Sequence, residues 1–273
     1  MTTTGRGLCI VAGVECRKLI AQPQTWIILI LCASAPFGFV VAMRTQSAVP
    51  SDTLFGRLVH ESGLATPLVV LGFAGLWGLP IVAAIAGGDM FASEDRHGTW
   101  PAMLTRSRSR SETFAAKILV ACIFATLALA LLATSAVGAG ALLVGLQPLV
   151  DLSGVLLPPR AALIRIMLAW ISVVPPCLAI TSVAMLTSVA TRSSVAGVGV
   201  PVVATFALQL IAFADAPSLF RLILPTTAFE AWHGLLAQPA FYGPIVLGTA
   251  VNVVCAAVSI SIARRIFLRR NIV

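Results

Sequence analysis

The chain has 273 residues, of which 59% are hydrophobic and 10% charged, with a mean hydropathy of +1.00. Soluble domains carry about 25% charged residues, so this composition excludes an ordinary soluble fold and fits an integral membrane protein. A net charge of +8 would suit a nucleic-acid binder, but once apolar spans are placed the positive-inside bias accounts for the same excess and removes that partner from consideration.

Residues 6–23 read as an amphipathic helix lying on the membrane surface. At 100° per residue Leu8, Val11, Ala12 and Leu19 share one arc, while Arg6 and Arg17 point away. Glu15 falls inside the apolar arc; it either pairs with a basic residue of the cytosolic loop or snorkels to the headgroups. Pro23 ends the helix. A first span follows from about Thr25 to Met43 with Trp26 as interfacial anchor, then a polar outer loop, Arg44 to Ser62. The second span, about Gly63 to Gly87, contains Gly72, Gly75, Gly78 and Pro80, which permit a close helix contact and a bend.

Residues 88–117, GDMFASEDRHGTWPAMLTRSRSRSETFAAK, form the only long polar interruption in the first half of the chain. Beyond it lie a proline-free third span (about Ile118 to Val144), an outer loop with Pro148, Pro158 and Pro159, and a fourth span (about Leu163 to Ala190) broken by Pro175 and Pro176. Thr191 to Ser194 make a tight turn marked by Arg192, and the fifth span, about Val195 to Ala214, carries Pro201 and Gln209. Residues 217–238 are apolar but split by Pro225 and dotted with Arg221, Glu230 and His233, which fits two short re-entrant outer helices better than a span. The sixth span, about Phe241 to Ala263, ends in Arg264, Arg265, Arg269 and Arg270. Thirteen of the eighteen Lys and Arg residues then fall on the side of the two termini. The expectation is one all-α membrane domain, residues 1–273, with six transmembrane helices and both termini cytosolic.

Several chemistries lack their residues. There is no G-x-x-x-x-G-K-[ST] phosphate loop, so this chain is not expected to bind ATP. No G-x-S-x-G elbow, zinc-protease pair or Cys/His metal spacing occurs, and His60, His97 and His233 lie far apart. The six cysteines read as buried free thiols. Span centres are nearly free of charge, which disfavours a proton or sodium pump; Asn252 and Gln209 are the strongest polar groups within the spans.

With the 88–117 loop on the cytosolic side, the order of its residues resembles the ABC-2 type family of ABC transporter permeases. The matching residues are Glu94, Gly98-Thr99, Leu104-Thr105, Ser109-Arg110 and Lys117, together with an E-x-x-K-L-like element at Glu15, Lys18 and Leu19. Ser107 and Ala116 depart from the family's usual proline and glycine. The resemblance implies a transmembrane subunit that pairs with a second permease, identical or related, and with two cytosolic ATPase subunits that carry ATP and Mg. The loop would then hold a coupling helix between spans two and three. Phe91, Trp100, Met103 and Leu104 would be its apolar anchors, and Glu94, Arg96, Arg106 and Arg110 its orienting charges, with Gly98, Thr99, Lys117 and Arg192 nearby. A basic loop resting on anionic lipid is the alternative, which the interleaved acids Asp89, Glu94, Asp95 and Glu112 disfavour.

Three functions compete. The first is export of a hydrophobic or amphipathic cargo (a drug, antibiotic, peptide or lipid) from a bacterial cytoplasmic membrane, driven by the separate ATPase. Phe73, Trp77, Phe206 and Gln209 are candidate wall residues of its path, with ordinary packing as the alternative for each. The second is an ATP-independent carrier or channel, and the third a membrane-embedded enzyme, which the missing catalytic residues disfavour.

Overall fold

The computed structural model describes residues 3–45, 55–98, 100, 109–213 and 224–270. Six helices among them are long and apolar enough to cross a membrane, in the order expected from the apolar runs. Helix α1, Thr3–Ala21, precedes the first of them, α2, Pro23–Thr45. The junction is tight because the Trp26 indole donates to the Ile20 carbonyl at 2.8 Å, satisfying an acceptor that the end of α1 leaves open.

The second span is not one regular helix. A 3-10 turn, Gly63–Ala65, leads into α3, Thr66–Phe73, then a π-helical stretch, Ala74–Gly78, then α4, Leu79–Gly88. Pro80 has no N–H to give the preceding turn, and its ring crowds the carbonyl one turn back, so the ladder re-forms with a wider turn just before it. The expected bend thus takes the form of a π insertion.

Helix α5, Ala92–His97, lies in the polar interruption. Helix α6, Arg110–Leu143, starts eight residues before the expected third span. Its start is fixed by a capping box: Ser109 Oγ accepts from the Glu112 N–H, and Glu112 accepts from the Ser109 N–H. The end of the 88–117 segment is therefore helix rather than loop. One short hairpin sits among the helices: β1, Leu149–Val150, pairs antiparallel with β2, Leu156–Leu157. Asp151 Oδ1 accepts from the backbone N–H groups of Ser153 and Val155 and closes the turn.

The fourth span divides into α7, Pro159–Ser172, and α8, Val174–Thr191, broken at Val173 where Pro175 and Pro176 were expected to interrupt it. Helix α9 is Ser194–Phe213 and α10 is Gly243–Arg269. Between them two 3-10 turns, Pro225–Phe229 and Ala231–Leu236, occupy the described part of the 217–238 region.

Helix α8 is the centre of the bundle, packing on α4, α6, α9 and α10, while α6 packs on α1, α2, α3 and α4. Helix α4 approaches α9 so closely that a Cβ on Gly88 would overlap the backbone of Gly197, a contact only small residues allow. One end of the bundle, the terminal end, carries α1, α5, the α8–α9 turn and the end of α10. The other, far end carries the β-hairpin and the 3-10 turns.

Candidate functional site

The polar interruption turns its chemistry inward. Phe91 is fully buried and Trp100 is 3% exposed. Their rings join Phe114 of α6 and Phe267 of α10 in one cluster, with centroids between 5.2 and 6.3 Å apart. Contacts of this kind add to the area each ring buries. Two residues expected as anchors for a partner are thus spent inside the protein, on the ends of two spans.

Glu94 goes inward as well. Its Oε1 accepts from Lys117 Nζ at 3.1 Å and from Lys18 Nζ. Lys117 also donates to Glu15 Oε2 at 2.7 Å, and Lys18 to Glu15 Oε1 at 3.1 Å. Among the described residues, two carboxylates and two ammonium groups form a square joining α1, α5 and α6. Glu15, Glu94 and Lys117 are at most 5% exposed, so each charge has lost its water and depends on the others. Lys117 Nζ also lies 5.8 Å from the ring centroids of Phe91 and Trp100, within cation–π range. Burial pulls the Lys18 ammonium down, but the hydrogen bonds and charges of Glu94 and Glu15 outweigh it and hold the group above its usual 10.5. The two readings of Glu15 are thereby separated: it pairs, and does not snorkel.

The other acids of the segment fasten it to the remaining helices. Asp95 receives a two-pronged contact from the Arg270 guanidinium, with Nη1 to Oδ2 at 2.9 Å, and accepts the Trp100 indole N–H at 3.0 Å. Asp89 accepts a short hydrogen bond from the Ser194 hydroxyl at the start of α9. The Ala92 N–H donates to Ser188 Oγ of α8 at 3.0 Å. Helix α5 is six residues long and too short to be stable alone; tertiary contacts to α1, α6, α8, α9 and α10 hold it in place. Gly98 ends it with φ +61°, the left-handed position that glycine adopts without strain.

Among the described residues, what faces outward is a smaller set. Arg96, which meets Asp89 at 3.5 Å, His97, Gly98 and Arg192 are exposed. Arg192 sits at φ 57° and ends α8. Arg110 is half-buried and donates to the Arg270 carbonyl at 2.7 Å. Thr99, Met103, Leu104 and Arg106 lie outside the described residues. In the sequence Arg270 reads only as part of a basic tail, and Phe114, Phe267, Ser188 and Ser194 carry no evident role. Their common signal, visible only in retrospect, is position within one turn of a helix end on the same side as the loop.

The four residues singled out as path walls are partly gathered. Trp77 and Phe206 meet at 5.3 Å between ring centroids and join the second and fifth spans. Phe73, one turn away, lies 6.4 Å from Phe39 of α2 and borders a far-end cavity of about 200 Å³ with Phe229, Trp232 and His233. Burial pushes the His233 imidazole below its usual value, against the raising effect of the Glu230 carbonyl and carboxylate. Gln209 is buried, and its amide nitrogen has no hydrogen-bond partner among the described residues.

Residues 13–208 match the family described as ABC-2 family transporter protein. Comparison with the curated proteins gave no match. The matched stretch holds all four members of the buried square, α5, four complete spans and most of the fifth, and covers well over half of the sequence. The chain therefore belongs to the ABC-2 family, as the membrane-spanning permease component of an ABC transporter.

Proposed function

We propose that this chain is the permease of an ATP-driven exporter and that α5 is its coupling helix. The observation that carries the reading is the fastening of α5: a six-residue helix tied by two acids and one backbone N–H to α1, α6, α8 and Arg270 at the end of α10, with Asp89 just ahead of it bonded to α9. Such a helix cannot shift without moving the ends of the spans it grips, which is what a force-receiving element needs. Its outward face, Arg96, His97 and Gly98 with Arg192 beside it, would meet one of two cytosolic ATPase subunits, joined there by Thr99, Met103, Leu104 and Arg106. Phe91, Glu94, Trp100, Arg110 and Lys117 would act behind that face, passing displacement to the spans.

On this reading the terminal end lies in the bacterial cytosol and a second permease, identical or related, completes the pathway. ATP and Mg would sit on the partner ATPase, with no cofactor on this chain. The cargo would be hydrophobic or amphipathic, because the spans offer apolar walls with few polar groups.

The test is purification from the native membrane followed by transport assay. Wild type should bring down an ATPase, and Arg96→Glu with Arg192→Glu should lose it while keeping the folded permease. Transport by the wild type without any bound ATPase would replace the reading with an ATP-independent carrier or channel.

A further inference from the structure

Away from the terminal end, one gap in the bundle is lined by residues whose buried polar atoms lack partners among the described residues. Helices α9 and α10 both pack on α8 and on the turn Pro225–Phe229, but barely on one another. A cavity of about 90 Å³ lies where these elements meet, and Asn252, Thr226, Thr205 and Cys255 line it. Ala204, also in the lining, is exposed.

Asn252 is 1% exposed. Its Nδ2 donates to the Pro225 carbonyl at 3.0 Å and the Gly248 carbonyl at 2.9 Å, which fixes the amide and uses both donors. Its Oδ1 has no hydrogen-bond partner among the described residues, and neither does Oγ1 of Thr226, which is 6% exposed. Thr205 spends its proton on the Pro201 carbonyl at 2.7 Å and keeps lone pairs free. Buried polar atoms are nearly always paired, so two unpaired ones in residues that line a single cavity call for a hydrogen-bond partner beside them.

Charge and size define that donor. Among the described residues no charged side chain lines the cavity, so an ammonium head would enter without a counter-ion from them, at heavy cost. A neutral hydroxyl meets acceptor oxygens and can also donate or accept at Thr226. An apolar cavity of about 150 Å³ accepts benzene, so this smaller space suits a hydroxyl and its first few carbons. The rest of the chain must leave through the gap between α9 and α10.

We propose that this gap is a binding site for the hydroxyl head of a neutral amphiphile of the long-chain alcohol class, held by Asn252 and Thr226 with its tail in the bilayer. The site goes beyond the coupling reading and does not rest on it: a chain that never met an ATPase would still bind the alcohol.

Photolabelling of the full-length protein in lipid nanodiscs tests this, with a long-chain 1-alkanol that carries a diazirine near its hydroxyl. Label mapped by mass spectrometry should concentrate on residues 176–183, 201–208 and 252–255. Excess dodecanol should displace it, whereas dodecyl methyl ether, which has no donor, should not. Thr226→Val, which keeps shape and removes the hydroxyl, should lower labelling about five-fold, the loss of one hydrogen bond; Ala179→Leu, which fills the cavity, should remove it. Label spread equally over lipid-facing positions such as Leu142 and Ile164, or equal competition by the ether, would overturn the site. So would labelling that neither variant changes, since the alcohol then lies outside the gap.

Discussion

Two buried polar regions in one bundle are built on opposite rules. At the terminal end Glu15, Lys18, Glu94 and Lys117 pair two against two, so no ion lacks a counter-charge. Between α9 and α10 Asn252 and Thr226 keep acceptor atoms unpaired around open space. A closed ionic square is costly to desolvate and costlier to break, so it fixes where α1, α5 and α6 stand relative to one another. An open neutral site costs less to keep and can take or release a ligand. Buried polarity therefore does two different jobs here, and the state of its pairing tells them apart.

The comparison is broken most severely at Lys117. Lys117→Met leaves two carboxylates facing one ammonium in a buried site, and about 3–5 kcal/mol of stability should go, read as a drop in the thermal midpoint of the purified protein. Adding Glu94→Gln should return part of it, because the remaining pair is again neutral. Full additivity of the two changes would mean that the square is not a unit.

Arg270→Ala strips Asp95 of its guanidinium but leaves it the Trp100 indole. A loss of about 2–3 kcal/mol is expected, concentrated as faster amide hydrogen exchange in 92–97 and not in the spans. A smaller effect is expected from alkali. Lys18 is held above 10.5 in the folded protein, so its contribution is intact below that value and fades as pH rises through the folded one. Lys18→Met should flatten the fall of the thermal midpoint measured above pH 10.5. At the quiet end of the scale, Thr226→Val should alter stability by no more than about 0.5 kcal/mol in the absence of ligand, since the hydroxyl it removes has no partner to lose. A large loss there would mean that the cavity oxygen is structural, and the contrast with the ionic square would collapse.

Much of the architecture could be read from the chain. Runs of about twenty apolar residues place six spans, and Pro175 and Pro176 mark the break in the fourth. The partners of the buried charges could not be read. Glu15 meets Lys117 across 102 positions and Asp95 meets Arg270 across 175, and a composition that counts charges by side says nothing of which face each occupies. Phe91 and Trp100 misled for a related reason: an aromatic ring in a polar loop fits a docking anchor or a private core equally well, and only the position of Phe114 and Phe267 decides. Unpaired oxygens such as Asn252 Oδ1 are defined by what does not approach them, which no sequence pattern encodes.

The π stretch Ala74–Gly78 gives the second span a property that its neighbours lack. A π turn contains one residue more than an α turn would use, so the helix stores a spare unit of length between two ends pinned by close contacts, Gly63 to Gly140 and Gly88 to Gly197. Removing one residue inside the stretch would let an ordinary turn form and leave α3 and α4 on their own faces. The same deletion midway along α6, which is regular from Arg110 to Leu143, would rotate every later side chain by about 100° and turn its buried face to lipid. Tolerance of insertions and deletions is therefore expected to be uneven across the bundle, with a splice point at the π turn of the second span.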